Sequence, residues 1–322
     1  MLSLFDKTKI KNMELKNRFF RSATYEGRNT EDGHMTEEVY SIYEDLAKGG
    51  VGLIITGYTY ITAGEHPSPK MMGVYDDSFI DEYKKLTQII HSYGTKILLQ
   101  IIYRGSIEKY LDELNNKNNT GKSLSKDFIN NKVKNYVVDN FLAAAERAKK
   151  AGFDGIQIHD PHSSLDCYCK DKMVFEIYNS IREKSGDDFH ISIKMNCGNL
   201  KEDRQAFENC KSLCIELDKL GIDSIEITGP NTGTRKDENF FKTEAAEISK
   251  EVDCALILVG GNRSQKSMTD ILNSTNIQYF SLCRPLICEP DIITKFKNDY
   301  SYEPKCLMCS KCLSAKNRCV LR

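Results

Sequence analysis

At 322 residues the chain is long for one ordinary domain but normal for a single α/β barrel, and its 40% hydrophobic content suffices for a large core. Lysine plus arginine (45) nearly balance aspartate plus glutamate (46), so the formal charge of −1 gives no general pull toward nucleic acid or an anionic membrane. No apolar run approaches the roughly 18 residues of a membrane span. The first residues carry no signal-peptide pattern, so a cytoplasmic location is expected.

Short β-rich runs alternate with helical patterns. In chain order the runs are Arg18–Ala23, Val51–Thr56, Lys96–Ile102, Gly155–His159, Ile191–Met195, Ser224–Thr228, Leu256–Val259 and Tyr279–Leu282. Most are nearly continuous apolar stretches, such as GLIIT, KILLQII and ALILV, which is how a parallel strand buried on both faces reads. Amphipathic segments lie between them, among them Thr36–Lys48, Ser78–Tyr93, Phe128–Ala151 and Arg204–Leu220. Several close on glycine at a C-cap position, as in AKGG, SYG, KKAG and DKLG.

Eight strands, each followed by a helix, are the count of a (β/α)8 TIM barrel, with an open doubly wound sheet as the competing architecture. No G-x-G-x-x-G follows any strand. Polar and glycine residues gather at strand C-terminal ends, the face that carries active sites in barrels. Read in order, those positions are Thr24, Gly57, Gln100, His159 with His162, Lys194, Gly229, Gly260 with Gly261, and Arg284. The expected organisation is one barrel over residues 1–303 and a cysteine-rich tail over residues 304–322.

The chain has twelve cysteines. Eight, from Cys167 to Cys288, are scattered through helical and strand patterns and read as small core hydrophobes. The other four crowd into the tail as Cys306-x-x-Cys309-x-x-Cys312, with Cys319 following. In a reducing compartment such clustering points to metal rather than disulfides. Zinc ribbons usually use two separated C-x-x-C knuckles. Three cysteines at this tight spacing can instead wrap successive irons of one cubane, so a [4Fe-4S] cluster is favoured over zinc, with a structureless remnant third.

The segments LFDKTKIKNMELKNRFFRSAT, LAKGGVGLIITGYTYI, YGTKILLQI, AGFDGIQIHDPH, ILVGGNRS and YFSLCRPLICEPD occur in that order. Through them the chain resembles the Old Yellow Enzyme family of flavin-dependent reductases over nearly its whole length. The resemblance implies an FMN-binding barrel. It places Gln100, whose amide both donates and accepts, on the pyrimidine edge of the flavin. It places Lys194 where a cation would stabilise the charge of reduced flavin. Thr24 would lie beside the ring, and Gly57 would let the backbone approach it. Gly260, Gly261 and Arg284 would hold the phosphate, since barrels commonly bind phosphate with the loops after their seventh and eighth strands. A tight turn plus a surface arginine is the plainer reading of that set, disfavoured because two adjacent loops carry complementary groups. His159 and His162 would hold the substrate's electron-withdrawing oxygen as hydride reaches the β-carbon. As a metal pair they lack a nearby third ligand in the sequence.

Departures from the family pattern fall on the substrate side. Many members have a proton-donating tyrosine two residues after the second histidine, where this chain has Ser164; Tyr168 is the nearest substitute. The family's His-Gly-Gly-Arg after the third strand is replaced by Tyr103-Arg104-Gly105-Ser106, and the long loop after the fourth strand is shortened. Arg104 is either a contact for an acidic substrate or a solvated loop charge.

The expected function is hydride transfer from reduced FMN to an activated C=C bond of a small or extended conjugated substrate. Electrons would come from NAD(P)H or, through a tail cluster, from ferredoxin or another donor protein; a homo-oligomer stays open. The alternative is a flavoprotein electron carrier or interaction partner without ene reduction. A dihydroorotate or tRNA-dihydrouridine type of FMN barrel is disfavoured by LKNRFFRSAT, by the paired histidines and by the neutral charge.

Overall fold

The computed structural model describes residues 1–64, 68–103, 110, 126–159, 173–198, 203–229, 237–313 and 318–322. The chain opens with an antiparallel hairpin, β1 (Thr8–Ile10) on β2 (Met13–Leu15). Eight parallel strands then form a ring: β3 (Phe19–Arg21), β4 (Leu53–Ile55), β7 (Lys96–Ile102), β8 (Gly155–His159), β9 (His190–Asn196), β10 (Ser224–Thr228), β11 (Ala255–Val259) and β12 (Tyr279–Leu282). Each pairs with the next in the chain, except that β4 pairs with β7. The pairing of β12 with β3 closes the ring. Two short strands, β5 (Thr59–Tyr60) and β6 (Met72–Gly73), extend the sheet beside the end of β7.

The closed barrel is thus the architecture, and the open sheet is excluded. Helices pack outside it: α1 (Glu37–Lys48), α2 (Phe79–Ser92), α3 (Lys126–Lys150), α4 (Met173–Ser185), α5 (Arg204–Leu220), α6 (Lys242–Ile248), α7 (Gln265–Ser274), α8 (Arg284–Cys288) and α9 (Ile292–Asn298). Asp203 caps α5 by accepting from the Ala206 N–H, and Gly221 ends that helix at φ +90°, as its DKLG signal requires. No described helix is long and apolar enough to cross a membrane. The first two barrel strands are shorter than their sequence runs: pairing covers Phe19–Arg21 and Leu53–Ile55 only.

The barrel interior is layered. Ile10, Met13 and Leu15 of the hairpin cluster with Phe20, Leu53, Leu98, Ile257 and Tyr279, so the hairpin plugs the N-terminal end with apolar side chains. Each fully buried large side chain contributes about 1.5–3 kcal/mol. Asp223, just before β10, fastens this end: it accepts from Arg182 Nη2 (2.7 Å) on α4 and from the Ile191 N–H (2.6 Å), and pairs with Lys11 (2.5 Å) at the hairpin turn. Beside it, His190 is buried and shares a 2.8 Å hydrogen bond with Ser224 Oγ.

Burial pushes the His190 imidazole down from 6.5 to about 4. As pH falls below 6.5 the unfolded chain takes up this proton before the folded one, so stability is lost on the way down, by up to about 3 kcal/mol for the full shift. The urea midpoint of the native chain should therefore drop between pH 7 and pH 5, and His190→Gln should flatten that slope. Identical slopes for the two proteins would contradict the assignment.

Candidate active site

Above the apolar plug, inward positions of neighbouring strands carry polar side chains that form one connected layer. Gln100 Nε2 donates to Gln157 Oε1 at 2.6 Å, and Gln157 Nε2 donates to Glu226 Oε2 at 3.0 Å. Ser22 Oγ donates to Glu226 Oε1 at 3.2 Å; Lys194 Nζ lies 3.5 Å from Glu226 Oε2 and donates to Ser22 Oγ at 3.3 Å. Strand register sets these partners: Gln100 faces Gln157 across β7 and β8, and Lys194 faces Glu226 across β9 and β10. Ser22 follows β3, which does not border β9 or β10, so its two bonds span the interior. Gln100, Gln157 and Glu226 are at most 1% exposed, which makes such partners obligatory.

Gln100 and Lys194 were expected at strand ends. They lie instead within their strands, which continue to Ile102 and Asn196, and so their side chains sit inside the barrel. Gln157 and Glu226 escaped the sequence reading. Their signal was present: each is a polar residue set between two isoleucines at the centre of a buried strand, GIQIH and SIEIT.

At the C-terminal rim, Thr24 Oγ1 donates to the Ser22 carbonyl at 3.0 Å and lies 3.2 Å from Cys283 Sγ. A Cβ on Gly57 would stand 2.6 Å from the Thr24 carbonyl oxygen, so the neighbouring backbone itself demands glycine there. His159 ends β8, half-buried and in register with Lys194. His162, Ser164, Tyr168 and Arg104 lie outside the described residues.

After β11, Gly260 (φ +109°) and Gly261 (φ +76°) occupy left-handed conformations that a side chain would strain. Asn262 braces this turn, donating to the Leu258 and Ser281 carbonyls and accepting from Asn239 Nδ2. Arg284 opens α8 after β12, the strand next to β11, so the glycine turn and the arginine share one end of the barrel. Arg284 Nη1 donates to the Met308 carbonyl (3.2 Å) and to Ser310 Oγ (2.9 Å), so the tail crosses over this arginine. The donor set as a whole fits FMN: an amide and a cation inside the barrel, and a glycine turn with an arginine at the rim for phosphate.

Cys306 and Cys312 are buried, Cys319 is half-buried and Cys309 is exposed. Cys306 packs with Cys288 of α8 and with Met308, and Cys319 lies against them. Burial, reinforced by the neighbouring Cys283, Cys306 and Cys319 thiols, pushes the Cys312 thiol up to about 11. Among the described residues no three His, Cys, Asp or Glu side chains converge as a metal site. Cys306 and Cys312 pack inward, while Cys309 faces solvent. Of the scattered cysteines, Cys197, Cys210, Cys214 and Cys288 are buried, whereas Cys254 and Cys283 are partly exposed.

The barrel and the chemistry of its donor set fit an FMN-dependent oxidoreductase. The chain belongs to the NADH:flavin oxidoreductase / NADH oxidase family, whose model matches residues 3–168. It is 26% identical to an NADH oxidase of Thermoanaerobacter brockii, over 96% of this chain and 53% of that protein. It is also 26% identical to a cinnamate reductase of Clostridium sporogenes, over 96% of this chain and 55% of that one. The chain thus spans about half the length of the curated relatives it matches. Among solved structures, the old yellow enzyme homologue from Zymomonas mobilis superposes with a TM-score of 0.74 over 94% of each chain; at 21% identity that likeness speaks to the fold.

The tail's course over Arg284 depends on Glu289. This buried carboxylate accepts from Tyr302 Oη (2.5 Å), the Lys305 N–H (2.7 Å) and Lys295 Nζ (2.9 Å). Burial alone would raise its pKa, but these donors outweigh burial and hold it below the usual carboxylate range. Glu289→Gln should weaken the anchor by about 1–3 kcal/mol. Limited trypsin digestion should then cut at Lys305 and Lys311 faster than in the native chain. Unchanged cleavage would show that Glu289 does not hold the tail.

Proposed function

We propose that the chain binds FMN at the C-terminal face of its barrel and acts as an ene-reductase-like oxidoreductase on conjugated small molecules. The observation that carries this reading is the connected interior layer of Gln100, Gln157, Glu226 and Lys194 beneath a rim bearing Gly260, Gly261 and Arg284. FMN, when bound, supplies the hydride. Gln100 would hold the pyrimidine edge, and Lys194 would place positive charge where reduced flavin gathers electrons. The glycine turn would offer backbone N–H groups to the phosphate. Arg284 adds guanidinium donors, of which it has five, so holding the tail does not exhaust it.

On the substrate side, His159 and His162 are proposed to donate to the activating oxygen, with Tyr168 or water as the proton source. The cinnamate reductase relative supports an activated C=C bond as the acceptor class. NAD(P)H is the proposed reductant, with ferredoxin or another donor protein as the other route. No electron path is drawn through the tail thiols, which do not converge on a metal site among the described residues.

The test is anaerobic reduction of the flavin-loaded chain by NADH or NADPH, followed by reoxidation with cinnamate, enones and nitroalkenes. Rapid reduction and turnover of at least one conjugated acceptor is expected. Reoxidation by oxygen alone would favour the electron-carrier reading, and reduction by a donor protein but not by NAD(P)H would replace the nicotinamide route. An arginine–phosphate hydrogen bond contributes about 1.5–3 kcal/mol. Arg284→Ala should accordingly weaken FMN about 10- to 100-fold while leaving riboflavin affinity nearly unchanged. Equal loss for both flavins, or none, would sink the phosphate assignment.

A further inference from the structure

Glu226 is a fully buried carboxylate in the middle of the barrel, touched by Gln157, Ser22 and Lys194. We propose that Glu226 is a positioning residue for the flavin: it fixes the direction of the Gln157–Gln100 amide relay and tempers the charge of Lys194. The inference rests on the FMN reading above.

Donor and acceptor counts fix the direction of the relay. A carboxylate only accepts, so Gln157 must turn its NH2 group toward Glu226. The Gln157 carbonyl then faces β7, where it can only take an N–H, and Gln100 supplies one from Nε2. Gln100 is left with its carbonyl oxygen to offer as an acceptor and a second N–H to offer as a donor. The pyrimidine edge of an isoalloxazine carries an N–H flanked by carbonyl oxygens, which is the complementary pattern. An amide at position 226 could face either way and would let both glutamines flip.

Glu226 Oε2 and Lys194 Nζ lie 3.5 Å apart. A counter-charge at that range, in an interior that screens poorly, cancels much of the ammonium's field at any third group. With Glu226 present, Lys194 draws electrons into the ring less strongly than a lone cation would. Removing the carboxylate's charge should therefore raise the flavin's electron affinity.

Glu226→Gln is the near-isosteric test, read on FMN-loaded protein by sulfite affinity and by the two-electron midpoint potential. Sulfite should bind about tenfold tighter, which for a two-electron couple corresponds to a potential about 30 mV higher. Glu226→Asp, which keeps the charge, should move both readouts less. Gln157→Met breaks the relay but spares the Glu226–Lys194 pair, so it should weaken FMN while leaving sulfite affinity per bound flavin near its native value. It also keeps the relay testable should Glu226→Gln fail to fold. Native sulfite affinity and potential in Glu226→Gln would overturn the charge role, and native FMN affinity in Gln157→Met would overturn the relay. A native chain that takes up no FMN would overturn the FMN reading itself, and this inference with it.

Discussion

Enclosing a carboxylate and an ammonium inside a protein costs several kcal/mol per ion unless each is fully partnered. Glu226 and Lys194 are offset by each other and by Gln157 and Ser22, because three strands and the residue after β3 converge on them. Only a closed ring brings Ser22 across to β9 and β10; in an open sheet β3 would lie strands away. The polar layer and the closure of the barrel are thus one constraint. The apolar hairpin plug on one side and the rim on the other set where along the barrel axis the charges can sit.

The rim inherits its geometry from this interior. Strands β11 and β12 are neighbours, so the turn at Gly260 and Gly261 and the start of α8 at Arg284 sit at the same end. The tail then folds back over Arg284, held through Glu289 at its root and by Arg318 and Arg322 on the α1 carboxylates Glu38 and Asp45. Anything bound by Arg284 would share its guanidinium with the tail. This ties the last residues of the chain to Arg284.

Much of this was legible in the sequence. Continuous apolar runs are dictated by burial on both faces, so all eight barrel strands could be located, and Lys96–Ile102, Gly155–His159, Ser224–Thr228 and Tyr279–Leu282 to the residue. Gly260 and Gly261 announced positive φ by being adjacent glycines after a strand. The hairpin of three-residue strands was missed because TKI and MEL are too short to show a period. Gln157 and Glu226 were missed because their partners are 57 to 204 residues away, and inward direction shows only once the register is known. Cysteine spacing is less informative for a related reason: C-x-x-C-x-x-C fixes separation along the chain but not which thiols face the barrel.

The most direct measurement is a titration of flavin-free chain with FMN, followed by flavin fluorescence, with riboflavin run in parallel. The account predicts one FMN per chain and markedly weaker riboflavin, because the phosphate would engage the Gly260–Gly261 turn and Arg284. No saturable FMN binding would contradict the flavin site, and equal affinity for the two flavins would contradict the rim as its phosphate anchor.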